Sequence, residues 1–387
     1  MFKILTLNNI SIVGLERLPR EHYEVASEIQ HPDAVLLRSF KMHDWPIPAS
    51  LKAIGRAGAG VNNIPVDKMS AKGIPVFNAP GANANAVKEL VLAGLLLTAR
   101  NILPSWAYTR QLQGTDEELA KQVEAGKKQF VGYELAKRRL GVIGLGAIGV
   151  KVANAALALG MDVIGYDPEI TVKNALQLSP QVKQALNIQE ILTNAEFVTV
   201  HVPLVEKTRH IINAERLKSS YKGLKLFNFS REGVVDDEAV CAAIEEGQVS
   251  NYVCDFPTNQ LLAHERVVTL PHLGASTKEA EENCAVMVAD QIRDYLEHGT
   301  IHNAVNFPEV EMPRESEYRL LVVNSNVPHM IERISSAIAK ANLNINNMLN
   351  KSRSGVACTL VDVDCSITEP VVQEIEGIEG VLTVRTL

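Results

Sequence analysis

Three glycines between an apolar strand and an apolar helix constrain this chain more than any other feature. Arg139–Ile143 has the composition of a buried strand, and residues 147–159 place Ala, Ile and Val on one helical face. Gly144 permits the tight turn between them, Gly146 lets a pyrophosphate approach the backbone, and Gly149 lets helix and strand pack closely. The motif therefore predicts a dinucleotide-binding βαβ unit.

A carboxylate at the end of the next strand indicates which dinucleotide is bound. The strand Asp162–Tyr166 ends at Asp167, roughly 20 residues after the glycines, where an acid bonds the ribose 2′-hydroxyl and repels a 2′-phosphate. The helix N-terminus, with the amides of Ala147 and Ile148, favours phosphate. We therefore predict NAD as the cofactor. The alternative, a glycine-rich turn without a ligand, is disfavoured by the strand, helix and acid together.

The composition excludes several classes of protein. A chain of 387 residues is long enough for two or three domains, and its net charge of −7 gives no reason to expect nucleic acid or an anionic membrane as partner. Residues 1–7 form a strand-like run rather than a signal peptide. The five cysteines show no C-x-x-C spacing, and an odd number suits a reducing cytosol and predicts no metal site. We expect a cytoplasmic protein with small-molecule ligands.

Alternating strands and helices predict an α/β fold with a discontinuous domain. Residues 1–100 and 101–280 each alternate in the manner of a parallel, doubly wound sheet. A long helix over residues 277–298 is expected to return to the first domain. We therefore predict a substrate-binding domain of residues 1–100 and 281–305 and a Rossmann-type NAD-binding domain of residues 101–280, with the ligands in a cleft between two lobes.

The last part of the chain has a different pattern. Residues 306–317 contain two prolines and little periodicity, which predicts a linker. Residues 318–387 follow the order βαββαβ, which is typical of a ferredoxin-like antiparallel sheet. This tail carries no catalytic cluster, so a regulatory or oligomerising role is expected.

Two polar loops supply candidate catalytic groups. Arg231 lies in the turn 228–236 after an apolar run, and His272 lies on the Gly-rich loop 271–277. A guanidinium offers two parallel donors to a planar carboxylate, and an imidazole exchanges protons near neutral pH. Nucleotide, cation and proton carrier together indicate hydride transfer on an anionic hydroxy acid.

These motifs resemble a known family. The first 305 or so residues resemble the D-isomer-specific 2-hydroxyacid dehydrogenases, and the tail resembles an ACT domain. The resemblance is strongest to members that act on D-3-phosphoglycerate. It rests on residues 55–61, 76–80, 228–231 and 271–277, and in the tail on residues 324–328 and 343–345. It implies NAD-dependent oxidation of D-3-phosphoglycerate to 3-phosphohydroxypyruvate, the first step of L-serine biosynthesis, by a homodimer or homotetramer.

The resemblance also implies roles for individual residues. Arg231 is expected to hold the substrate carboxylate and polarise the C2 oxygen, and His272 to take the hydroxyl proton. The predicted cofactor contacts are Gly144, Gly146, Ala147, Ile148, Gly149, Asp167, His201, Val202, Pro203, Ser230, Asp255 and Gly274. The predicted substrate contacts are Arg38, Ser39, Arg56, Ala59, Gly60 and Val61, with Lys127 and Lys128 as weaker candidates.

The chain departs from the family at the acid that normally accompanies the histidine. The family places a glutamate five residues after an aspartate, whereas the stretch 254–260 of this chain is shorter by one residue. The position falls on Asn259 or Gln260, according to the alignment. Asp255 either supports His272 or faces the nicotinamide amide, and Glu265 is a more distant alternative. We expect the imidazolium of His272 to lack its usual carboxylate.

The tail departs from the family as well. The family's serine site has a glycine at the position that His329 occupies, after Asn326, and Asn344 is the expected partner across the interface. Feedback by serine is therefore in question, whereas dimerisation through the tail does not require that glycine.

Two other functions stay open. A dehydrogenase for another D-2-hydroxy acid, such as 2-hydroxyglutarate or glycerate, would keep Arg231 and His272 without needing Arg38 and Arg56. A non-catalytic NAD-sensing module is favoured only by the altered acid position.

Overall fold

The computed structural model describes residues 1–387. The chain forms two compact units, one of residues 1–83 with 278–387 and one of residues 84–277. None of the helices combines the length and apolar character that crossing a membrane requires.

Sixteen strands and fourteen α-helices make up the fold. The strands are β1 (Phe2–Leu7), β2 (Tyr23–Ala26), β3 (Ala34–Leu37), β4 (Ala53–Arg56), β5 (Val76–Phe77), β6 (Arg139–Ile143), β7 (Asp162–Tyr166), β8 (Lys183–Gln184), β9 (Phe197–Val200), β10 (Leu224–Asn228), β11 (Val249–Cys254), β12 (Val267–Thr269), β13 (Tyr318–Ser325), β14 (Ile345–Arg353), β15 (Val356–Val363) and β16 (Val381–Thr386). The helices are α1 (Ile12–Leu15), α2 (Val66–Ala71), α3 (Ala84–Ala99), α4 (Ile102–Thr109), α5 (Asp116–Gly126), α6 (Ala147–Ala158), α7 (Val172–Gln177), α8 (Ile188–Asn194), α9 (Ala214–Lys218), α10 (Asp237–Glu245), α11 (Asn259–Leu262), α12 (Lys278–His298), α13 (Met330–Lys340) and α14 (Glu369–Glu376).

The unit of residues 84–277 contains a seven-stranded sheet of Rossmann type. Its strand order is β12-β11-β10-β9-β6-β7-β8, and every pair is parallel. The order reverses at β6, which is the position where such sheets bind a nucleotide. The predicted α/β class and parallel sheet are confirmed. Strand β8 was not predicted from the sequence, because it has only two residues and both are exposed.

Helix α3 belongs to this unit, whereas the predicted boundary near residue 100 placed it with the first domain. Val87, Val91 and Leu95 on α3 share an apolar core with Val142 on β6 and Phe227 on β10. The contact boundary therefore lies before α3, at residue 83. The helix is held there by its apolar face.

The other unit contains a five-stranded parallel sheet in the order β2-β1-β3-β4-β5. The long helix α12 packs on this sheet, as predicted for the returning helix. Gly55 on β4 allows the close approach, because a Cβ there would lie 2.9 Å from Leu36 Cδ2 and 3.1 Å from Ile292 Cγ1. Val288 and Ile292 of α12 are fully buried in the resulting core.

The tail forms the predicted βαββαβ arrangement. Its antiparallel sheet has the order β14-β15-β13-β16, and one face packs against α13 and α14 through an apolar core. The other face contributes Leu321 and Leu360 to the core that contains α12. The buried Arg319 donates to the Asp362 carboxylate at 2.6 and 2.9 Å and to the carbonyl of His298 at 3.2 Å. The sheet is thus packed on both faces.

The segment predicted as a linker is also packed. Phe307, Val310 and Met312 are buried, and Ile301 pairs with Val310 through an antiparallel bridge. In the tail, α13 begins at Met330. His329 ends the preceding turn with a left-handed φ of 67°, so the helix starts after it.

Candidate active site

The glycine loop has the geometry that a bound pyrophosphate requires. Gly144 follows β6 with φ of 93°, and a Cβ there would lie 2.5 Å from the carbonyl oxygen of His201. A Cβ on Gly149 would clash with the carbonyl oxygen of Gly144. At Gly146, by contrast, a Cβ would meet nothing within 4 Å. The first and third glycines are needed for packing, and the second faces open space.

The N-terminus of α6 fits an anion. Gly146 is the N-cap and has no side chain to accept from the first-turn amides, which have no acceptor within the helix. These amides and the helix dipole favour a phosphate group. The loop and helix therefore fit the dinucleotide that the sequence predicts.

A buried, unpaired nitrogen lies next to this loop. His201 follows β9, and its Nε2 lies 2.9 Å from Thr199 Oγ1 while its Nδ1 is buried without a partner. Burial lowers the pKa of His201 to about 3, so the ring is neutral at physiological pH. An unpaired buried nitrogen is costly unless a ligand satisfies it. The next two residues are also predicted cofactor contacts. Val202 is half-buried, and Pro203 is exposed.

Asp167 connects the glycine loop to the end of β7. Its Oδ2 accepts from the amide of Leu145 at 2.8 Å, and its Oδ1 accepts from the amide of Glu169 at 2.9 Å. The side chain is half-buried. A carboxylate has about four acceptor positions, so two remain for the ribose hydroxyls.

Arg231 follows β10 in a turn that Asn228 stabilises. The Asn228 amide donates to the carbonyl of Arg231 at 3.0 Å, and its Oδ1 accepts from the amide and hydroxyl of Ser230 at 3.1 and 2.8 Å. Arg231 itself is exposed, and its guanidinium donates to the Ser230 carbonyl at 2.7 Å without an ion pair. The cation is therefore available for an anionic ligand, whereas the Ser230 hydroxyl is already used.

The loop of His272 is held by a buried carboxylate. Asp255, 1 % exposed at the end of β11, accepts from the amide of Leu273 through Oδ1 and from the amide of Gly274 through Oδ2, both at 2.7 Å. Its carbonyl accepts from the amide of His272 at 3.2 Å. His272 has a left-handed φ of 54° and an exposed side chain. The Asp255 carboxylate thus orients the loop rather than the imidazole.

The side chain that contacts the His272 ring is aromatic. Phe256 makes an edge contact with a ring-centroid distance of 5.2 Å. Asn259 and Gln260, the two positions considered for the missing glutamate, are exposed at the start of α11, and Glu265 is exposed as well. No carboxylate forms an ion pair with His272. The sequence had not singled out Phe256, although it directly follows Asp255.

These residues lie along one edge of the sheet. Gly144, His201 and Arg231 follow β6, β9 and β10, and Asp255 and His272 follow β11 and β12. Carboxyl ends of parallel strands lie at the same edge, where open α/β sheets bind their ligands. The cofactor loop, the free cation and the imidazole are therefore brought together within one unit.

The other unit carries the predicted substrate residues at the ends of β3 and β4. None of the amides of Ala59, Gly60 and Val61 donates a hydrogen bond within the protein, so they can bind an anion. Arg56 donates through Nε to the Arg38 carbonyl at 3.0 Å. Residue 58 has a φ of 154°, a backbone conformation that residues with a side chain rarely adopt, which explains Gly58.

Arg38 and Ser39 are in a more constrained position than the sequence suggested. Arg38 pairs with Glu281 at 2.6 Å, and Ser39 is exposed with its amide bonded to Asn8 Oδ1 at 3.0 Å. Neither Asn8 nor Glu281 was predicted, since both are distant from Arg38 in sequence. Lys127, which directly follows α5, forms an ion pair with Glu124 in the last turn of that helix, as a solvated lysine does.

The predicted effector residues of the tail are all exposed. Asn326 donates to the carbonyl of Ser354 at 3.2 Å, and the amide of Asn344 donates to Asp364 at 3.0 Å. His329 lies 3.0 Å from Glu332 in the left-handed conformation that favours glycine. Serine binding here stays a prediction.

Comparisons with known proteins agree with this geometry. The model of the NAD-binding domain of the D-isomer-specific 2-hydroxyacid dehydrogenases matches residues 103–274. A D-3-phosphoglycerate dehydrogenase of Haemophilus influenzae is 32 % identical over 87 % of this chain and 81 % of its own length. One of Synechocystis is 36 % identical over 80 % of this chain, which spans only 56 % of that relative.

A solved structure extends the likeness. NAD-bound 3-phosphoglycerate dehydrogenase of Entamoeba histolytica is 26 % identical, with a TM-score of 0.61 over 79 % of this chain and 98 % of its own. The chain therefore belongs to the D-isomer-specific 2-hydroxyacid dehydrogenase family.

Proposed function

We propose that this protein oxidises D-3-phosphoglycerate to 3-phosphohydroxypyruvate with NAD. The observation that carries the proposal is the arrangement at the sheet edge, where Arg231, which has no ion pair, and the exposed His272 follow strands of the same sheet as the glycine loop. The relatives named D-3-phosphoglycerate dehydrogenase support the choice of substrate.

The chemistry divides between two side chains. Bound NAD supplies the hydride acceptor. Arg231 binds the substrate carboxylate and the C2 oxygen, which places the C2 hydrogen for transfer and stabilises negative charge on the oxygen. As the C2–H bond breaks with its electron pair, neutral His272 takes the hydroxyl proton and a C2 carbonyl forms. In the reverse direction the imidazolium returns the proton.

The other predicted substrate residues supplement these contacts. The unpaired amides of Ala59, Gly60 and Val61 would bind the carboxylate in addition to Arg231, and Arg38 and Arg56 would attract the phosphate. Asp255 enters this mechanism as a positioning residue, because both its carboxylate oxygens are bonded to the loop that carries His272.

A second candidate substrate is a D-2-hydroxy acid without phosphate, such as glycerate or 2-hydroxyglutarate. The observation in its favour is the ion pair between Arg38 and Glu281, which neutralises one of the two cations. The proton carrier and Arg231 would serve such a substrate unchanged.

We also propose that the protein is a homo-oligomer. Helix α4 has no buried residue in the single chain, and Trp106 on it is 63 % exposed. Leu96, Leu103 and Val131 nearby in sequence are exposed as well. Such an apolar surface is typical of a protein interface. All five cysteines are free, in keeping with a reducing, cytoplasmic location.

A substrate panel tests the activity. The purified protein is incubated with NAD and each of D-3-phosphoglycerate, D-glycerate and D-2-hydroxyglutarate, and NADH is followed by its absorbance. We expect the highest kcat/KM with D-3-phosphoglycerate. A preference for either unphosphorylated acid would replace the proposed substrate, and light scattering of the same sample would give the oligomeric state.

A further inference from the structure

We propose that Glu281 sets the affinity of the Arg38 site for phosphate by competing with it for the guanidinium. The inference rests on the proposed function, in which Arg38 attracts the substrate's phosphate. It adds a specificity-determining residue on α12, far from the catalytic loops in sequence.

The backbone of Arg38 is fixed, so its side chain starts from a defined position. The amides of Arg38, Ser39 and Phe40 all donate to Asn8 Oδ1, at 3.3, 3.0 and 2.7 Å. The Arg38 carbonyl accepts from Arg56 Nε at 3.0 Å and from the Asn63 amide at 3.1 Å. Only the guanidinium is left to exchange partners.

The Arg38 guanidinium is held by an ion pair that is partly exposed to solvent, so a ligand can reach it. Arg38 Nη1 lies 2.6 Å from Glu281 Oε1, and the two side chains are 37 % and 45 % exposed. Both line a cavity of about 320 Å³, together with Ser11, Lys278 and Glu282. Water-exposed ion pairs are weak, so an incoming anion can displace the carboxylate.

The cavity has no excess positive charge in the absence of a ligand. Its second cation, Lys278, lies 3.6 Å from Glu282, so each cation has its own carboxylate. A phosphate dianion at Arg38 must replace Glu281 or lie beside it, and like charges a few ångströms apart repel. Replacing Glu281 by glutamine keeps the size and one acceptor but removes the repelling charge.

The experiment compares Glu281→Gln with Glu282→Gln, which removes a carboxylate from the same cavity without touching Arg38. Binding of inorganic phosphate is measured by calorimetry, and KM for D-3-phosphoglycerate by NADH formation. For Glu281→Gln we expect phosphate to bind about 3- to 10-fold more tightly and KM to fall by a similar factor. Glu282→Gln should change both by less than about twofold. Adding Arg38→Met should abolish the gain.

Two results would overturn the inference. Phosphate binding that is equal or weaker in Glu281→Gln would mean that the carboxylate positions Arg38 instead of competing for it. Phosphate binding that is undetectable in both the parental protein and Glu281→Gln would mean that there is no anion site at Arg38. If phosphate binds more tightly in the variant but neither protein oxidises D-3-phosphoglycerate, the proposed function fails while the competition at Arg38 stands.

Discussion

Two aspartates of the same sheet show how similar local contacts serve different ends. Asp167 follows β7 and Asp255 follows β11, and each carboxylate accepts from two backbone amides. Asp167 is half-buried and adjoins the glycine loop, so it keeps acceptor positions for a ligand. Asp255 is 1 % exposed and holds the loop of His272.

The difference shows that burial distinguishes a carboxylate that can bind a ligand, Asp167, from one that positions a loop, Asp255. Bonds to the backbone are present in both, so bonding alone does not distinguish them. The half-buried carboxylate of Asp167 can be tested through cofactor choice. The buried carboxylate of Asp255 can be tested through loop geometry and stability. Changes at His272 and at the position of the missing acid give the largest and the smallest effect against which the two aspartates can be compared.

Removal of the proton carrier should have the largest effect. We expect His272→Ala to lower kcat by roughly two to four decades, the usual range for loss of a general acid–base. NAD affinity, measured by calorimetry, should be unchanged, because the imidazole projects from a loop held by Asp255. His22→Ala, which removes another exposed imidazole, is the control. A near-normal rate in His272→Ala would assign the proton to a different group.

The substitution Asp255→Asn should have the second-largest effect on kcat. One carboxylate oxygen becomes an amide nitrogen that faces a backbone N–H, which should cost ~1–3 kcal/mol of unfolding free energy. The displaced loop should lower kcat roughly 10- to 100-fold. Denaturant titration measures the unfolding free energy, and steady-state kinetics measure kcat. Asp237→Asn, at a half-buried aspartate of the same unit, is the control. A positioning role leaves the pH optimum unchanged, so a shifted pH–rate profile would make Asp255 the electrostatic partner of His272.

Asp167→Ala should change cofactor choice by about tenfold, which corresponds to the lower end of the value of one hydrogen bond to a charged group. The ratio of kcat/KM for NAD to that for NADP should fall, since the variant neither bonds the ribose nor repels a 2′-phosphate. Asp162→Ala, at the exposed start of the same strand, is the matched control. An unchanged ratio in Asp167→Ala would leave this carboxylate with its contacts to the glycine loop alone.

Installing the missing acid should have the smallest effect. A carboxylate near His272 favours its protonated form, so both limbs of the pH–rate profile should move to higher pH. We expect about 0.5 to 1 pH unit for Asn259→Glu or Gln260→Glu, because both positions are exposed and screened. The shift is measured from the dependence of kcat on pH, recorded for oxidation and for reduction. If both variants keep the parental profile, neither position faces the histidine.

The local pattern of the sequence predicted much of this fold. Strands such as β6 and β15 and helices such as α6 and α12 are apolar runs with a clear period, so their positions follow from composition. The glycines of the cofactor loop were predictable because the turn and the close packing allow no side chain. Elements without an apolar pattern, such as β8, could not be found this way.

Contacts between distant segments were not predictable. The bonds from Asp255 to Leu273 and Gly274 depend on β11 and β12 lying side by side, and the pair of Arg38 with Glu281 depends on the packing of α12 on β4. The start of α13 depends on the left-handed backbone of His329, a conformation that glycine adopts more readily than histidine.

The most direct test of hydride transfer from D-3-phosphoglycerate follows the hydrogen at C2. The protein is mixed in a single turnover with NAD and D-3-phosphoglycerate deuterated at C2, and the reduced cofactor is analysed by mass spectrometry. We predict that the reduced cofactor carries one deuterium with the parental protein, and that almost none forms in the same time with His272→Ala. Unlabelled or absent reduced cofactor from the parental protein, with NAD shown by calorimetry to be bound, would contradict hydride transfer from this substrate.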